Sequence, residues 1–199
     1  MNRRDFVKGS VAVIPSTIAL QMLTGPQWVW AQGGAEFKDD LEVANYALTL
    51  EYLESEFYKQ GNAKNLLEGK EAEYVRKIGA DEDAHVDALT EMIKGAQGTP
   101  AAKPQVDFKD SFKTRDSFLT TAYTFENLGV SAYLGAAGSI KDKDILQAAA
   151  GIFGVECRHA AVIGNLLEKP AEGGVFQGAQ EKGKTKKEVL AAAGPFIKA

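Results

Sequence analysis

Glu82-Asp83-Ala84-His85 and Glu156-Cys157-Arg158-His159 each set a glutamate and a histidine three residues apart, and together they hold both histidines of a 199-residue chain. On a helix, residues at that spacing share one face, so each pair can address a single point. Only 16 of the residues are glutamate, so the same offset at both histidines marks a pattern and not an accident. Glu51 stands 31 residues before Glu82, and Glu126 stands 30 before Glu156. Each of these two is followed seven residues later by a tyrosine, Tyr58 and Tyr133. The chain therefore reads as two helix pairs that repeat the same polar residues.

Outward from these residues the apolar positions keep a helical period, and no stretch sustains two-residue alternation, so the fold class is all-α. The first helix opens at Asp39, a cap with Glu42 at its third position, and closes at Gly61. Its inward stripe is Leu41, Ala44, Leu48, Glu51, Ser55 and Tyr58. The second runs from Lys70 to Lys94 before Gly95, with Val75, Ile78, Glu82, His85, Leu89 and Met92 on one face. The third spans Arg115 to Ile140, and the fourth runs from Lys143, behind the cap Asp142, to Leu167. Short links join the first helix to the second and the third to the fourth. The stretch from Gln97 to Lys113 carries Pro100 and Pro104 and no period. Extended, it reaches roughly 55 Å, more than the roughly 38 Å of a 25-residue helix, so it can cross the whole bundle. The expected architecture is a four-helix bundle with a long crossover between helices 2 and 3. Beyond Pro170 a Gly-rich tail leads to Thr185-Lys186-Lys187-Glu188, a capping box that opens a short helix ended by Gly194-Pro195. Gly129, Gly135 and Gly138 lower helix propensity in the third helix and suggest close helix approach.

With 45% hydrophobic and 25% charged residues the chain suits one globular domain. Its single cysteine, Cys157, excludes an intrachain disulfide and a four-cysteine metal site. One position from Glu156 on a regular helix, it turns away from the polar face and reads as a packing residue. The net charge is -4, of which residues 1–31 contribute +2 and the remainder -6, which argues against nucleic acid as a partner. The opening run MNRRDFVK resembles a twin-arginine export signal, followed by an uncharged stretch and Val29-Trp30-Ala31 at a cleavage position. The expected organisation is a signal peptide at 1–31, the bundle at 32–170 and a tail at 171–199. The resemblance implies recognition by the twin-arginine export machinery and a periplasmic or otherwise exported protein.

The polar stripes decide the chemistry. Burying Glu51, Glu82, Glu126 and Glu156 together without compensation would cost several kcal/mol each. Two divalent ions would cancel their charge, and a Glu from each of two helices with Glu-x-x-His from the other two is the di-iron or di-manganese carboxylate arrangement. Oxygen-rich ligation with two imidazoles favours iron or manganese. The expected metal ligands are Glu51, Glu82, His85, Glu126, Glu156 and His159. Glu54, Glu56, Glu68, Glu71, Glu73 and Glu91 read by default as solvated. Glu54 shares a second stripe with Ala47, Leu50 and Phe57, so periodicity alone leaves it open against Glu51. The repeat decides for Glu51, because only Glu51 has the tyrosine seven residues on.

At these residues the sequence resembles the ferritin-like superfamily, which includes bacterioferritin, rubrerythrin and manganese catalase. The run ALTLEYLESEFY, the export signal and the tail KKEVLAAAGPFI resemble more particularly the exported ferritin-like proteins related to plant desiccation-related proteins. The resemblance implies that Glu51 and His85 sit on one metal, Glu126 and His159 on the other, and that Glu82 and Glu156 bridge. It places Tyr58 and Tyr133 near the metals as candidate catalytic residues; a core aromatic with a satisfied hydroxyl is the other reading. A rubredoxin-like iron site is excluded by the lone cysteine, and the short, glycine-rich tail argues against a storage cage. Two functions follow. One is redox activity on dioxygen or peroxide, or on ferrous ion, of ferroxidase, peroxidase or catalase-like kind. The other is a stress- or desiccation-protective protein whose metals are structural. A homo-oligomer is compatible with the sequence.

Overall fold

The computed structural model describes residues 36–198, which lie within the unit Gln32–Ala199. The export signal and its cleavage position fall outside the described residues. Four long helices form the bundle: α1 Asp40–Asn62, α2 Gly69–Gly95, α3 Arg115–Ala137 and α4 Lys143–Leu166. A short α5, Lys186–Ala193, follows and runs into a 3-10 turn, Gly194–Phe196. Among the described residues there is no strand, only the isolated bridges Val106 to Ile197 and Glu172 to Phe176.

The helix starts follow local hydrogen bonding. The Asp39 carboxylate accepts from the Glu42 N–H at 2.9 Å, and Asp142 accepts from the N–H groups of Asp144 and Ile145. Thr185 and Glu188 close the expected capping box, and Thr114 forms a second one with Ser117. Two ends differ from the sequence expectation, while α2 stops at Gly95 as expected. Gly61 lies inside α1, where a side chain would collide with the Phe118 ring, and Ala63 caps the helix. At the end of α2 the left-handed residue is Gln97, at φ 59, and the Gly98 N–H returns to the Ile93 carbonyl at 2.8 Å. The third helix stops at Ala137 rather than Ile140, because Ser139 and Ile140 turn back onto the carbonyls of Ala136 and Ala137.

The crossover, residues 96–114, runs along α1. The Ala101 N–H donates to the Asn45 side chain at 2.6 Å, Lys103 pairs with Glu56, and Phe108 packs edge-on against Phe57. Phe57 also meets Phe112, Phe118 and Phe125, so the crossover supplies two rings to an aromatic cluster at one end of the bundle. That cluster continues along α1, α3 and α5 through Leu50, Leu53, Leu128 and Val189. A second cluster, with Leu48, Leu89, Ile93, Tyr133 and Ile152, fills the other end. The tail packs on the bundle, which the sequence did not disclose. Val189 and Ala193 are fully buried, and Phe196 stands edge-on to Phe125 at 4.9 Å.

The glycines of α3 also act differently from the expectation. Gly135 is approached not by a helix but by the tail, whose Lys184 carbonyl occupies the place of a β-carbon while its N–H donates to the Ser131 carbonyl at 2.9 Å. Gly138 caps the helix, and Gly129 faces the side chains of Glu156 and Glu54. Gly135→Ala is therefore expected to destabilise the fold by about 1–3 kcal/mol through overpacking. Gly154, in α4, has no atom within 4 Å of a β-carbon, and Gly154→Ala is expected to stabilise by up to about 1 kcal/mol. Urea unfolding of the two variants, read by circular dichroism, checks the opposite signs.

Candidate metal centre

Each helix of the bundle contributes inward polar groups at mid-length: Glu51 from α1, Glu82 and His85 from α2, Glu126 from α3, Glu156 and His159 from α4. The four glutamates have no exposed surface, and both histidines are buried. They fall into two groups, Glu51, Glu82, His85 and Glu156, and Glu82, Glu126, Glu156 and His159, within each of which the possible ligand atoms all lie within 4.8 Å of one another. Glu82 and Glu156 belong to both groups. The structure thus brings together all six residues that the two Glu-x-x-His pairs and the repeat single out.

Both imidazoles turn Nδ1 toward the carboxylates. His85 Nδ1 lies 3.1 Å from Glu82 Oε2, 3.2 Å from Glu156 Oε1 and 3.3 Å from Glu51 Oε2. His159 Nδ1 lies 2.8 Å from Glu82 Oε1 and 3.3 Å from Glu126 Oε2. Neither these two His159 approaches nor that of His85 to Glu156 is aligned as a hydrogen bond, so Glu82 Oε1, Glu126 Oε2, both oxygens of Glu156 and His159 Nδ1 are buried without a hydrogen-bond partner. Buried polar atoms without partners are costly. Here they converge on shared points, as donors arranged for a cation do.

The tyrosines take the outer oxygens crosswise. Tyr58 of α1 donates its hydroxyl to Glu126 Oε1 of α3, and Tyr133 of α3 donates to Glu51 Oε1 of α1 at 2.5 Å. The seven-residue spacing in sequence is therefore a pairing between halves and not within one. Burial, then the charge of Glu126 or Glu51, holds both phenols well above their ordinary range, so they remain donors. Asp81 is a partner the sequence reading missed: its Oδ2 lies 3.3 Å from His159 Nε2. Its only sequence signal is adjacency to Glu82, and the other half has Val155 there.

Glu54 departs from the expected solvated face. It is 3% exposed, with Oε2 buried and unpartnered, because its stripe with Ala47, Leu50 and Phe57 faces the interior. Of the other glutamates read as solvated, Glu68, Glu73 and Glu91 are exposed, while Glu56 and Glu71 are half-buried and paired with Lys103 and Arg115. Cys157 is half-buried, and burial pushes its thiol up to about 11, as suits a packing residue.

A family model of the ferritin-like domain matches residues 39–169. The chain belongs to the ferritin-like family. The matched span contains all four bundle helices and the whole carboxylate and histidine cluster. No curated protein matches the chain.

Without a metal, the cluster of this ferritin-like chain holds protons. Burial and the charge of Glu126 raise Glu82 from 4.5 to about 7, and burial raises Glu156 and Glu54 well above the ordinary range. Burial opposes the charged imidazoles, but the surrounding carboxylates outweigh it and push His85 up to about 12 and His159 to about 11. All five groups bind protons more tightly folded than unfolded. Their contribution is therefore present at low pH, and is lost as pH rises from 4.5 through about 7 for Glu82 and from 6.5 toward 11 or 12 for the histidines. The melting temperature of chelator-treated protein is expected to fall from pH 5 to pH 9. A thermal melt at each pH checks this, and a rise across the range would contradict it.

Proposed function

We propose that the chain holds two redox-active metal ions, iron or manganese, and acts on dioxygen or peroxide after export through the twin-arginine pathway. The observation that carries this reading is the convergence of four fully buried carboxylates and two imidazoles into two ligand groups that share Glu82 and Glu156. The donor set fits the ions: oxygen-rich ligation with two imidazoles suits iron or manganese, and two divalent charges balance four carboxylates. Glu51 and His85 would hold one ion, Glu126 and His159 the other, with Glu82 and Glu156 between them. When bound, such a pair supplies electrons and Lewis acidity that no side chain here can provide.

The protein's own groups prepare the site. Tyr58 and Tyr133 fix the terminal carboxylates by binding one oxygen of each, leaving the other for the centre. They act as positioning residues. Asp81 faces His159 Nε2 and would keep the imidazole's one remaining proton there when Nδ1 is free to hold an ion. An apolar cavity lined by Ala44, Ala47, Leu89, Ala132 and Tyr133 adjoins the centre through Tyr133, whose hydroxyl holds Glu51, and suits a small uncharged molecule. That supports dioxygen or peroxide as substrate, in ferroxidase, peroxidase or catalase-like chemistry.

The deciding experiment is metal analysis of protein purified from its native compartment, followed by oxygen evolution from peroxide and ferrous-ion oxidation. The loaded protein is expected to exceed a His85→Ala, His159→Ala variant in one of these rates. Equal rates would leave the metals a structural role in a stress-protective protein. Chelation is expected to lower the melting temperature at neutral pH by several degrees. Glu51→Ala is expected to bind well below two ions per folded chain. Tyr58→Phe and Tyr133→Phe should stay folded and lose about 10–100-fold in metal affinity, read by competition with a chelator.

A further inference from the structure

The repeat accounts for six of the groups at the centre but not for Glu54. Its side chain is 3% exposed, Oε2 has no hydrogen-bond partner, and no cation lies near enough to pair with it among the described residues. A buried carboxylate in that condition is expected to cost several kcal/mol unless something compensates it.

Its position follows from the crossed tyrosines. Tyr58 reaches Glu126 while Tyr133 reaches Glu51, so α1 and α3 run antiparallel past the centre. Glu54 is three residues after Glu51 and four before Tyr58; Gly129 is three after Glu126 and four before Tyr133. Each stands about 4.5 Å along its helix from its own ligand glutamate, which places both at the height between the two ligand groups. There they face each other. A methyl group on Gly129 would stand 2.9 Å from Glu156 Oε2 and 3.4 Å from Glu54 Oε1, so the missing side chain leaves the room these two carboxylates fill. Gly129 is the position at which exact repetition would put a second Glu54.

We infer that Glu54 is a fifth carboxylate ligand of the metal centre, reaching it from between α1 and α3 through the space left by Gly129. The inference rests on the two-ion reading above and adds to it. Five ionised carboxylates carry one negative charge more than two divalent ions cancel. The site is thereby biased toward a pair of higher total charge, one divalent and one trivalent ion giving neutrality.

The test is titration of the chelated full chain with Mn(II), following free ion by electron paramagnetic resonance. Wild type, Glu54→Gln and Glu56→Gln are compared, with Glu54→Leu as a second variant. Gln keeps the volume and hydrogen-bonding capacity of a protonated Glu54, so a merely structural carboxyl would tolerate it. Leu suits a buried site and is expected to raise the melting temperature of the metal-free protein. Glu54→Gln and Glu54→Leu are both expected to reach two ions per chain at saturation, with at least one step weakened about tenfold or more. Glu56→Gln should match wild type. Wild-type binding of two ions with both Glu54 variants within twofold of it in each step would overturn the inference and leave the two-ion reading intact. A wild type that binds no Mn(II) would overturn both.

Discussion

Five carboxyl groups lie within the interior of one helical bundle, and everything around them answers to that burial. A bundle of this size could fill its middle with leucine and gain apolar contact. Instead Glu51, Glu54, Glu82, Glu126 and Glu156 occupy mid-helix positions with at most 3% of their surface exposed. The cost of desolvating them is offset in the metal-free protein by protons, on the raised carboxyls and on two imidazoles held in the charged form. An apolar cluster on either side excludes water and so strengthens every charge interaction between them. The aromatic cluster around Phe57 also anchors the crossover, which places α3 and α4 at the height where their ligands meet those of α1 and α2.

The approximate two-fold repeat builds the centre, yet the protein is not symmetric about it. Asp81 backs His159 and, among the described residues, no counterpart backs His85, because the second half carries Val155. Glu54 has glycine opposite it. The tail closes over α3 at Gly135, leaving a bundle with one covered side and one, α4, much more exposed. These differences fall outside the six repeated residues. They distinguish two ligand groups that the repeat alone would make equivalent, and they are where the chemistry of this ferritin-like chain is open to specialisation.

The helical class, the four long elements, the crossover and the six convergent residues were all legible in the sequence. The helices and the two Glu-x-x-His pairs depend on periodicity, capping and a three-residue offset that act within one helix, whereas Glu51 and Glu126 depend on the repeat between the halves and the crossover on a proline-bearing stretch without period. Helix ends were less so, since Gly61 meets Phe118 inside α1 instead of ending it, and the third helix stops short of Ile140; the close approach expected at Gly135 comes from Lys184 of the tail and not from a helix. Only the tertiary structure decided that each tyrosine binds the glutamate of the other half, that the tail docks, and that Glu54 faces inward. The stripe carrying Glu54 was visible, but a helix in a bundle has two neighbours, and which of two adjacent stripes meets the centre depends on its rotation against both. That rotation is set by packing between helices distant in sequence, which no local pattern encodes.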